Sequence, residues 1–159
     1  MCVVQADECS FNGVASGWAL LSAYGASRVT NCRFSDQGNQ GELLLLAGDG
    51  WLLESCTFLG AEQDSSGWEV FSLTGSGVVR GCTFAENVVG RPLVTIRPSE
   101  NGVRFLESSF DNCQLISEVQ PGGCLMILGE TNDPPVTEIL NCTAIACSSL
   151  GEGTWIWAN

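Results

Sequence analysis

Hydrophobic positions recur in one short phrase that returns six times along the chain. The phrase is an aliphatic residue, two spacers, a Cys, a small polar residue and a Phe. Four regular copies are Ala6–Phe11, Val29–Phe34, Leu53–Phe58 and Val79–Phe84, and two degenerate copies are Phe105–Phe110 and Ile139–Ala144. The Cys-equivalent positions are separated by 23, 24, 26, 26 and 34 residues. Self-similarity at this period predicts a solenoid.

A second phrase, a Gly followed by an apolar run, occurs once in each period. Its copies begin at Gly17, Gly41, Gly67, Gly90, Gly123 and Gly153. A third apolar element precedes the Cys phrase, as in Trp51–Leu53. These short runs, with turn residues between them and no helical periodicity, predict an all-β parallel β-helix with three strands per coil. A β-sandwich is the alternative, but it does not require the phrases to recur in step.

The two alternating phrases resemble right-handed β-helix repeats of the pectate-lyase-like superfamily. They are similar in particular to repeats of polymorphic outer-membrane proteins and of large protist surface proteins. Cys82, Phe84 and Asn87 carry the whole second phrase of such repeats, and Gly122–Leu125 approximates their Gly-Gly-Ala-Ile. The resemblance implies a single-stranded right-handed parallel β-helix of about six coils. It also implies a surface-exposed, often adhesive protein, located outside the cell or at the cell surface.

The nine cysteines fall into two groups. One repeat position holds Cys9, Cys32, Cys56, Cys82 and Cys142. Stacked at about 4.8 Å with parallel side chains, these residues suit a column of buried thiols better than disulfides. Of the cysteines outside the column, Cys113, Cys124 and Cys147 are the better candidates for a bridge. No Cys-x-x-Cys pair is present, so a structural zinc site is not expected.

Charge and composition exclude several kinds of chemistry. The chain has 18 Asp and Glu, 6 Arg, and neither Lys nor His, giving a net charge of −12. A strongly negative protein repels phosphate backbones, so we expect no nucleic-acid partner. Without His there are no Ser-His or Cys-His nucleophile pairs and no imidazole metal ligands. We expect no cofactor, and no membrane insertion by this segment, because no apolar run approaches about 20 residues.

Residues 1–159 are expected to form one β-helix domain. The first repeat begins almost at the first residue, and the last residues are still within the Gly phrase. Terminal coils of solenoids usually carry a polar cap. The pattern therefore favours a segment of a longer protein, with end-to-end self-association as the alternative.

The residue after each Gly gives a candidate ligand-binding column of Trp18, Glu42, Trp68 and Arg91. The two Trp would lie two coils apart, about 10 Å, with Glu42 between them. Aromatic platforms beside hydrogen-bonding charges suit the stacking face of a sugar. The alternative is that both Trp side chains only cover the edge of the core.

Two acidic residues are the candidates for catalysis. Asp36 and Glu86 occupy the second position after Phe, on either side of Gly60, at a spacing of about 10 Å. Inverting glycosidases separate their carboxyl groups by about 6.5–9.5 Å. Acids on exposed turns are usually only solvated, and the pattern holds no Asp cluster of the kind that polysaccharide hydrolases use.

Three further features are placed by stacking. The residue after Cys forms an outward column rich in hydroxyls: Ser10, Arg33, Thr57, Thr83, Ser109 and Thr143. Glu54 and Arg80 are expected to form a surface ion pair. The longest step contains two extensions, residues 111–121 and 129–135, that are expected to be surface loops.

The sequence as a whole favours a non-catalytic structural or adhesive β-helix module of a secreted or cell-surface protein. Its partners would be glycans or a surface protein. A carbohydrate-binding module is the first alternative. A polysaccharide-degrading enzyme of the β-helix type is the second.

Overall fold

The computed structural model describes residues 3–13, 19, 21–36, 42–63, 70–116, 124–128, 137–149 and 156–158. These residues form β-strands and turns, and none of them is helical. The strands are β1 (Gln5–Asp7), β2 (Ser10–Gly13), β3 (Leu21–Tyr24), β4 (Arg28–Thr30), β5 (Arg33–Asp36), β6 (Leu44–Glu54), β7 (Thr57–Leu59), β8 (Glu62–Gln63), β9 (Phe71–Arg80), β10 (Thr83–Ala85), β11 (Val88–Val89), β12 (Val94–Leu106), β13 (Ser109–Asp111), β14 (Gln114–Leu115), β15 (Leu125–Ile127), β16 (Thr137–Leu140), β17 (Thr143–Ile145), β18 (Ser148–Ser149) and β19 (Ile156–Ala158).

Three parallel sheets surround one core. The long sheet follows the path β1-β4-β6-β9-β12-β15-β19, with β3 paired to β6 and β16 to β12. The phenylalanine sheet has the order β2-β5-β7-β10-β13-β17, and the short sheet has the order β8-β11-β14-β18. Each strand pairs in parallel with the equivalent strand of the adjacent coil, as between β7 and β10. This topology confirms the predicted all-β parallel β-helix and excludes a β-sandwich.

The number of complete coils is smaller than predicted. The phenylalanine sheet stacks six strands, as the six copies of the Cys phrase require. Among the described residues, only the coils that begin at β6, β9, β12 and β15 contribute a strand to all three sheets. In the two preceding coils, the stretches that lead towards the short sheet, 14–18 and 37–41, lie outside the described residues. The molecule is therefore a solenoid of about four complete turns.

A stack of phenyl rings runs through the core behind the phenylalanine sheet. Successive ring centroids of Phe11, Phe34, Phe58, Phe84 and Phe110 are 4.7, 4.8, 4.8 and 4.9 Å apart. This distance equals the spacing of paired strands, so strand pairing and ring stacking reinforce each other. Each ring pair adds about 0.5–1.5 kcal/mol beyond the burial of its area. The Phe of the repeat phrase therefore defines the core.

Two corners of the coil use left-handed backbone at a fixed register position. The glycine corner, which bends the long sheet, contains Gly25, Gly48 and Gly75, with φ of 64°, 91° and 96°. The cysteine corner, directly before the Cys of each phrase, contains Glu8, Asn31, Ser55, Gly81, Glu107 and Asn141, with φ between 52° and 60°. Two of these residues, Asn31 and Asn141, are of a type that tolerates left-handed backbone well.

The Cys of the phrase follows the cysteine corner and points into the core. Cys32, Cys56 and Cys82 are buried, while Cys9 and Cys142, in the first and last coils of the phenylalanine sheet, are half-buried. The Cys56 thiol donates to the carbonyl of Glu54 at 3.3 Å. Burial raises the pKa of the Cys32 thiol. All eight described cysteines are free thiols, so the predicted thiol column is confirmed.

Two smaller expectations have different outcomes. Arg80 Nη1 lies 3.6 Å from Glu54 Oε1, which confirms the predicted ion pair. Both side chains are partly exposed, so the pair contributes at most about 1 kcal/mol.

The first predicted extension, 111–121, begins too early, because β13 and β14 continue the regular coil as far as Leu115. The added length lies between Leu115 and Leu125, which pair with Val89 and Val94 of the preceding coil. Residues 117–123 and 129–136 are outside the described part of the chain.

Candidate functional site

The outer face of the long sheet carries a covered polar patch. Ser72 and Thr95 are register neighbours on β9 and β12. Strand alternation places them on the face opposite to the core residues Phe71 and Leu73. Their exposed fractions are nevertheless only 3% and 0%. We call Glu42, Ser72 and Thr95 the outer polar patch.

Among the described residues, the outer polar patch contains one acid that has a hydrogen-bond partner and one hydroxyl that has none. Glu42 Oε1 accepts a hydrogen bond of 2.5 Å from Ser72 Oγ, which joins one coil to the next. Thr95 Oγ1 is buried and has no hydrogen-bond partner among the residues that the structure describes. Leaving a buried hydroxyl unpaired costs about 1–3 kcal/mol. The patch therefore combines a hydrogen bond between two coils with a hydroxyl, one strand further along, that has no partner among the described residues.

The predicted column containing both Glu42 and Arg91 is wrong by one residue. The strand register aligns Leu44 with Phe71 and Phe71 with Val94. Glu42 lies two residues before Leu44, whereas Arg91 lies three residues before Val94. The distance from Gly to the first strand residue differs between copies, so Gly does not fix the register. The register is instead fixed by the strands and by the buried residues that precede them, such as Leu43 and Leu93.

Arg91 itself is half-buried, and its Nε is buried with no hydrogen-bond partner in the described part of the chain. Trp18 and Trp68, the two aromatic members of the predicted column, lie outside the described residues. The aromatic platform for a sugar therefore stays a prediction. Of the four predicted ligand-binding residues, the structure describes only Glu42 and Arg91.

The two candidate catalytic acids lie where the phenylalanine sheet ends. Asp36 is the last residue of β5, and its side chain lies outside the described part of the structure. Ser35 pairs with Leu59, so the register places Asp36 beside Gly60, as predicted. Glu86 occupies the equivalent corner of the next coil, with φ 55° and an exposed side chain. A catalytic role for either acid stays a prediction.

The hydroxyl column is present on the outside of the phenylalanine sheet. Parallel pairing puts Ser10, Arg33, Thr57, Thr83, Ser109 and Thr143 at one register position. Ser109 Oγ donates a hydrogen bond of 3.4 Å to Thr83 Oγ1, which joins one pair of neighbours in the column. The placement is confirmed, and Arg33 interrupts the array as expected.

Sequence reasoning missed two acids that hold coils together. Asp49 Oδ1 accepts hydrogen bonds from Ser76 Oγ at 2.8 Å and Ser99 Oγ at 2.9 Å, and the Ser76 contact is the main reason that the Asp49 pKa is lowered. Asp7 Oδ1 likewise accepts from Thr30 and Asn31, which lowers the Asp7 pKa. The Gly48-Asp49-Gly50 sequence was a usable turn signal for the first of these acids.

Sequence reasoning also missed a polar corner beside the core cysteines. Asn87 is fully buried; its Oδ1 accepts from the Ala61 amide at 3.0 Å, and its Nδ2 donates to Cys113 Sγ at 3.6 Å. Cys113 is in hydrogen-bond contact with the thiol of Cys124. Cys147 lies next to both of these cysteines. The three cysteines singled out as candidates for a bridge are thus brought together.

Two features are absent from the described residues, a metal-binding cluster and a membrane-spanning helix. No group of three or more His, Cys, Asp or Glu side chains suited to a metal ion occurs in the described ranges. The same ranges contain no helix with the length and apolar character needed to span a membrane. The chemistry that the described side chains offer is hydrogen bonding, ion pairing and thiol chemistry.

Comparison with known proteins agrees with this geometry. Searches among curated proteins and among solved structures gave no significant match. A family model for the right-handed β-helix region matches residues 2–144. The match covers nearly the whole chain and includes every copy of the Cys phrase. The chain therefore belongs to the right-handed β-helix family.

Proposed function

We propose that this domain is a non-catalytic structural or adhesive module of a secreted or cell-surface protein. The observation that carries the proposal is the unbroken phenyl stack, with ring centroids 4.7–4.9 Å apart from Phe11 to Phe110. A core that repeats without interruption makes a rod whose coils all support one another. Such a rod holds its outer faces and loops at fixed spacings.

The polar contacts of the surface support the same role. Most of them join successive coils, as in Asp7 with Thr30, Ser76 with Asp49 and Arg104 with Glu138. Arg104 and Glu138 are direct register neighbours whose charged atoms are 2.6 Å apart. These side chains stabilise the stack of coils, as a rigid scaffold requires.

The charge of the domain limits its partners. A net charge of −12 disfavours nucleic acids and acidic polysaccharides. Neutral glycans or a surface protein with a basic face are the partners that fit. The location outside the cell rests on the resemblance to surface-protein repeats.

An adhesion assay combined with a degradation assay tests the proposal. Beads coated with the domain should bind to cells or glycan-coated surfaces, and the soluble domain should compete with them. The domain should release no reducing sugar from neutral or acidic polysaccharides. Release of sugar that is abolished in Glu86→Gln would contradict the non-catalytic role.

Carbohydrate binding is a second candidate because of the outer polar patch. Glu42 is oriented by Ser72, while Thr95 Oγ1 and Arg91 Nε are buried without partners among the described residues. Both atoms are inaccessible to a ligand in this structure, so recognition of a sugar would rest on the partly exposed Glu42 and on the predicted Trp18 and Trp68. On a glycan array, Trp18→Ala and Trp68→Ala should each abolish binding. Tyr24→Ala removes an exposed aromatic outside the predicted column and serves as the control.

A further inference from the structure

Three cysteines from separate parts of the chain meet at one end of the core. Cys113 lies between β13 and β14, and Cys147 occupies the equivalent position one coil later, between β17 and β18. Cys124 directly precedes β15 in the long sheet. Cys113 and Cys124 are 0% and 3% exposed, and Cys147 is half-buried. Cys124 Sγ lies 3.9 Å from the carbonyl oxygen of Cys113.

The direction of approach distinguishes these thiols from the thiol column. Cys56 and Cys82 are stacked neighbours in parallel strands, so their side chains leave the backbone in the same direction although their thiols are in contact. A disulfide needs a Cβ–S–S–Cβ dihedral of about 85–100°, which parallel side chains do not supply. Cys113 and Cys147 are stacked in the same way. Cys124 belongs to a different sheet and reaches Cys113 from another direction.

We infer that Cys113 and Cys124 are a disulfide-forming pair, oxidised by a small-molecule disulfide such as glutathione disulfide. The bond would tie the corner after the phenylalanine sheet to the first strand of the next coil. It would close a ring around residues 114–123, where the repeat contains added length. The inference does not depend on the proposed adhesive function.

The chemistry balances with this oxidant. The Cys113 thiolate attacks one sulfur of glutathione disulfide, which forms a mixed disulfide and releases one glutathione thiolate. Cys124 then loses its proton and attacks the Cys113 sulfur, which forms the protein disulfide and releases the second glutathione. The two protein thiols lose two protons and two electrons, and one glutathione disulfide becomes two glutathione molecules.

In the folded chain, the surroundings make Cys113 the more acidic of the two thiols. Side-chain contact with the Cys124 thiol is the main cause that lowers the pKa of Cys113 to about 7, and Asn87 Nδ2, which donates to Cys113 Sγ at 3.6 Å, also lowers it. The same contact between the two thiols raises the pKa of Cys124. Because both residues are buried, the oxidant reaches them while the chain folds, before these contacts are complete, so either thiol can make the first attack and the same disulfide results. Oxidative refolding is therefore the condition in which the bond forms.

The test is refolding of residues 1–159 with an excess of glutathione disulfide, followed by blocking of free thiols and non-reducing peptide mapping. Cleavage after glutamate places Cys113 in peptide 108–118 and Cys124 in peptide 119–130. We expect a linked pair of these peptides that separates on reduction. We also expect Tm to be about 10 °C higher than for the reduced protein, because the short ring restricts the unfolded chain.

Two variants complete the design. Cys124→Ala should lose both the linked peptide and the increase in Tm on oxidation. Cys56→Ala, the matched control in the thiol column, should keep both. Absence of the 108–118 to 119–130 link in the oxidised protein would overturn the assignment. So would a link that joins Cys124 to Cys147 instead, since peptide 139–152 would then replace 108–118.

Discussion

The glycine corner and the cysteine corner both turn the chain through left-handed backbone, but they accept different residues. The cysteine corner holds Glu, Asn, Ser or Gly in successive coils, all with φ between 52° and 60°. The glycine corner holds Gly25, Gly48 and Gly75 in three successive coils. Left-handed φ costs a non-Gly residue only about 1–2 kcal/mol. The conformation alone therefore does not explain the difference.

The approach of neighbouring coils explains it. A Cβ atom at Gly75 would lie 2.0 Å from the carbonyl oxygen of Gly48, and one at Gly48 would lie 3.0 Å from the amide nitrogen of Gly25. At Gly81, in the cysteine corner, the nearest atom would be Ser55 Oγ at 3.8 Å. Side chains of the cysteine corner thus have room, whereas a Cβ atom at Gly48 or Gly75 would point into the backbone of the preceding coil. At Gly25, in the first of the three coils, the nearest atom would be Val3 Cγ2 at 3.8 Å. The comparison teaches that coil stacking, more than φ, determines where Gly is required.

The largest predicted effect compares a buried position next to the cysteine corner, Cys56, with an exposed position in the corner itself, Ser55. Cys56→Asp should lower the free energy of unfolding by at least about 4 kcal/mol, because it buries a charge that has no partner. Ser55→Asp, one residue earlier, should change it by less than about 1 kcal/mol, because Ser55 is exposed and Asp tolerates left-handed backbone. Urea unfolding followed by circular dichroism measures both. Equal destabilisation by the two variants would mean that the thiol column is not part of the core.

The second prediction compares the two corners directly. Gly75→Ala should lower the free energy of unfolding by about 3–5 kcal/mol, because the new methyl group collides with the backbone of the preceding coil. Gly81→Ala should lower it by about 1 kcal/mol, which is the cost of left-handed backbone for a residue other than Gly. Thermal melts of the two variants, recorded at one protein concentration, measure the difference in their stability. A Gly81→Ala variant as unstable as Gly75→Ala would contradict the role assigned to coil stacking.

The third prediction concerns the preference for Asn at the cysteine corner. Asn31 Nδ2 donates to Asp7 Oδ1 at 3.0 Å, and Asn adopts left-handed backbone more readily than Ala. Asn31→Ala should lower the free energy of unfolding by about 1 kcal/mol. Ser55→Ala, at the same corner of the next coil, should cost less, since Ser has no comparable preference for this conformation. Urea midpoints that rank these two variants in the opposite order would refute the explanation.

The repeat phrase predicted most of the fold because its residues face the core. Phe58 and Cys56 return at a fixed register position, and any shift would move them to solvent. The phrase therefore identified the sheets and the thiol column. The glycine corner was not recognised from sequence, because its glycines are separated from the Gly phrase and its spacing to the Cys phrase varies.

The candidate site was harder to predict for a related reason. Sequence spacing placed Glu42 and Arg91 in one column, but the strands fix the register, and Gly41 and Gly90 lie at different distances from them. The contact between Glu42 and Ser72 joins residues 30 positions apart on different coils, and no local pattern encodes it. Outer-face contacts depend on how far coils are offset, which a period alone does not give.

The smallest predicted effect is a pH dependence located at the glycine corner. Hydrogen bonds from Ser76 and Ser99 lower the pKa of Asp49 below its ordinary value of 3.8. A lowered folded-state pKa means that Asp49 contributes stability above about pH 3.8 and loses it as the pH falls through the folded-state value. The Tm of Asp49→Asn should therefore lie below that of the unsubstituted protein at pH 6, and the difference should shrink below pH 3.8. Asp7→Asn should behave in the same way through Thr30 and Asn31 at the cysteine corner. Glu86→Gln, which changes an exposed acid, is the control. Suppose instead that the Tm of Asp49→Asn runs parallel to that of the unsubstituted protein at every pH. That result would show that these hydrogen bonds do not depend on the ionised carboxylate.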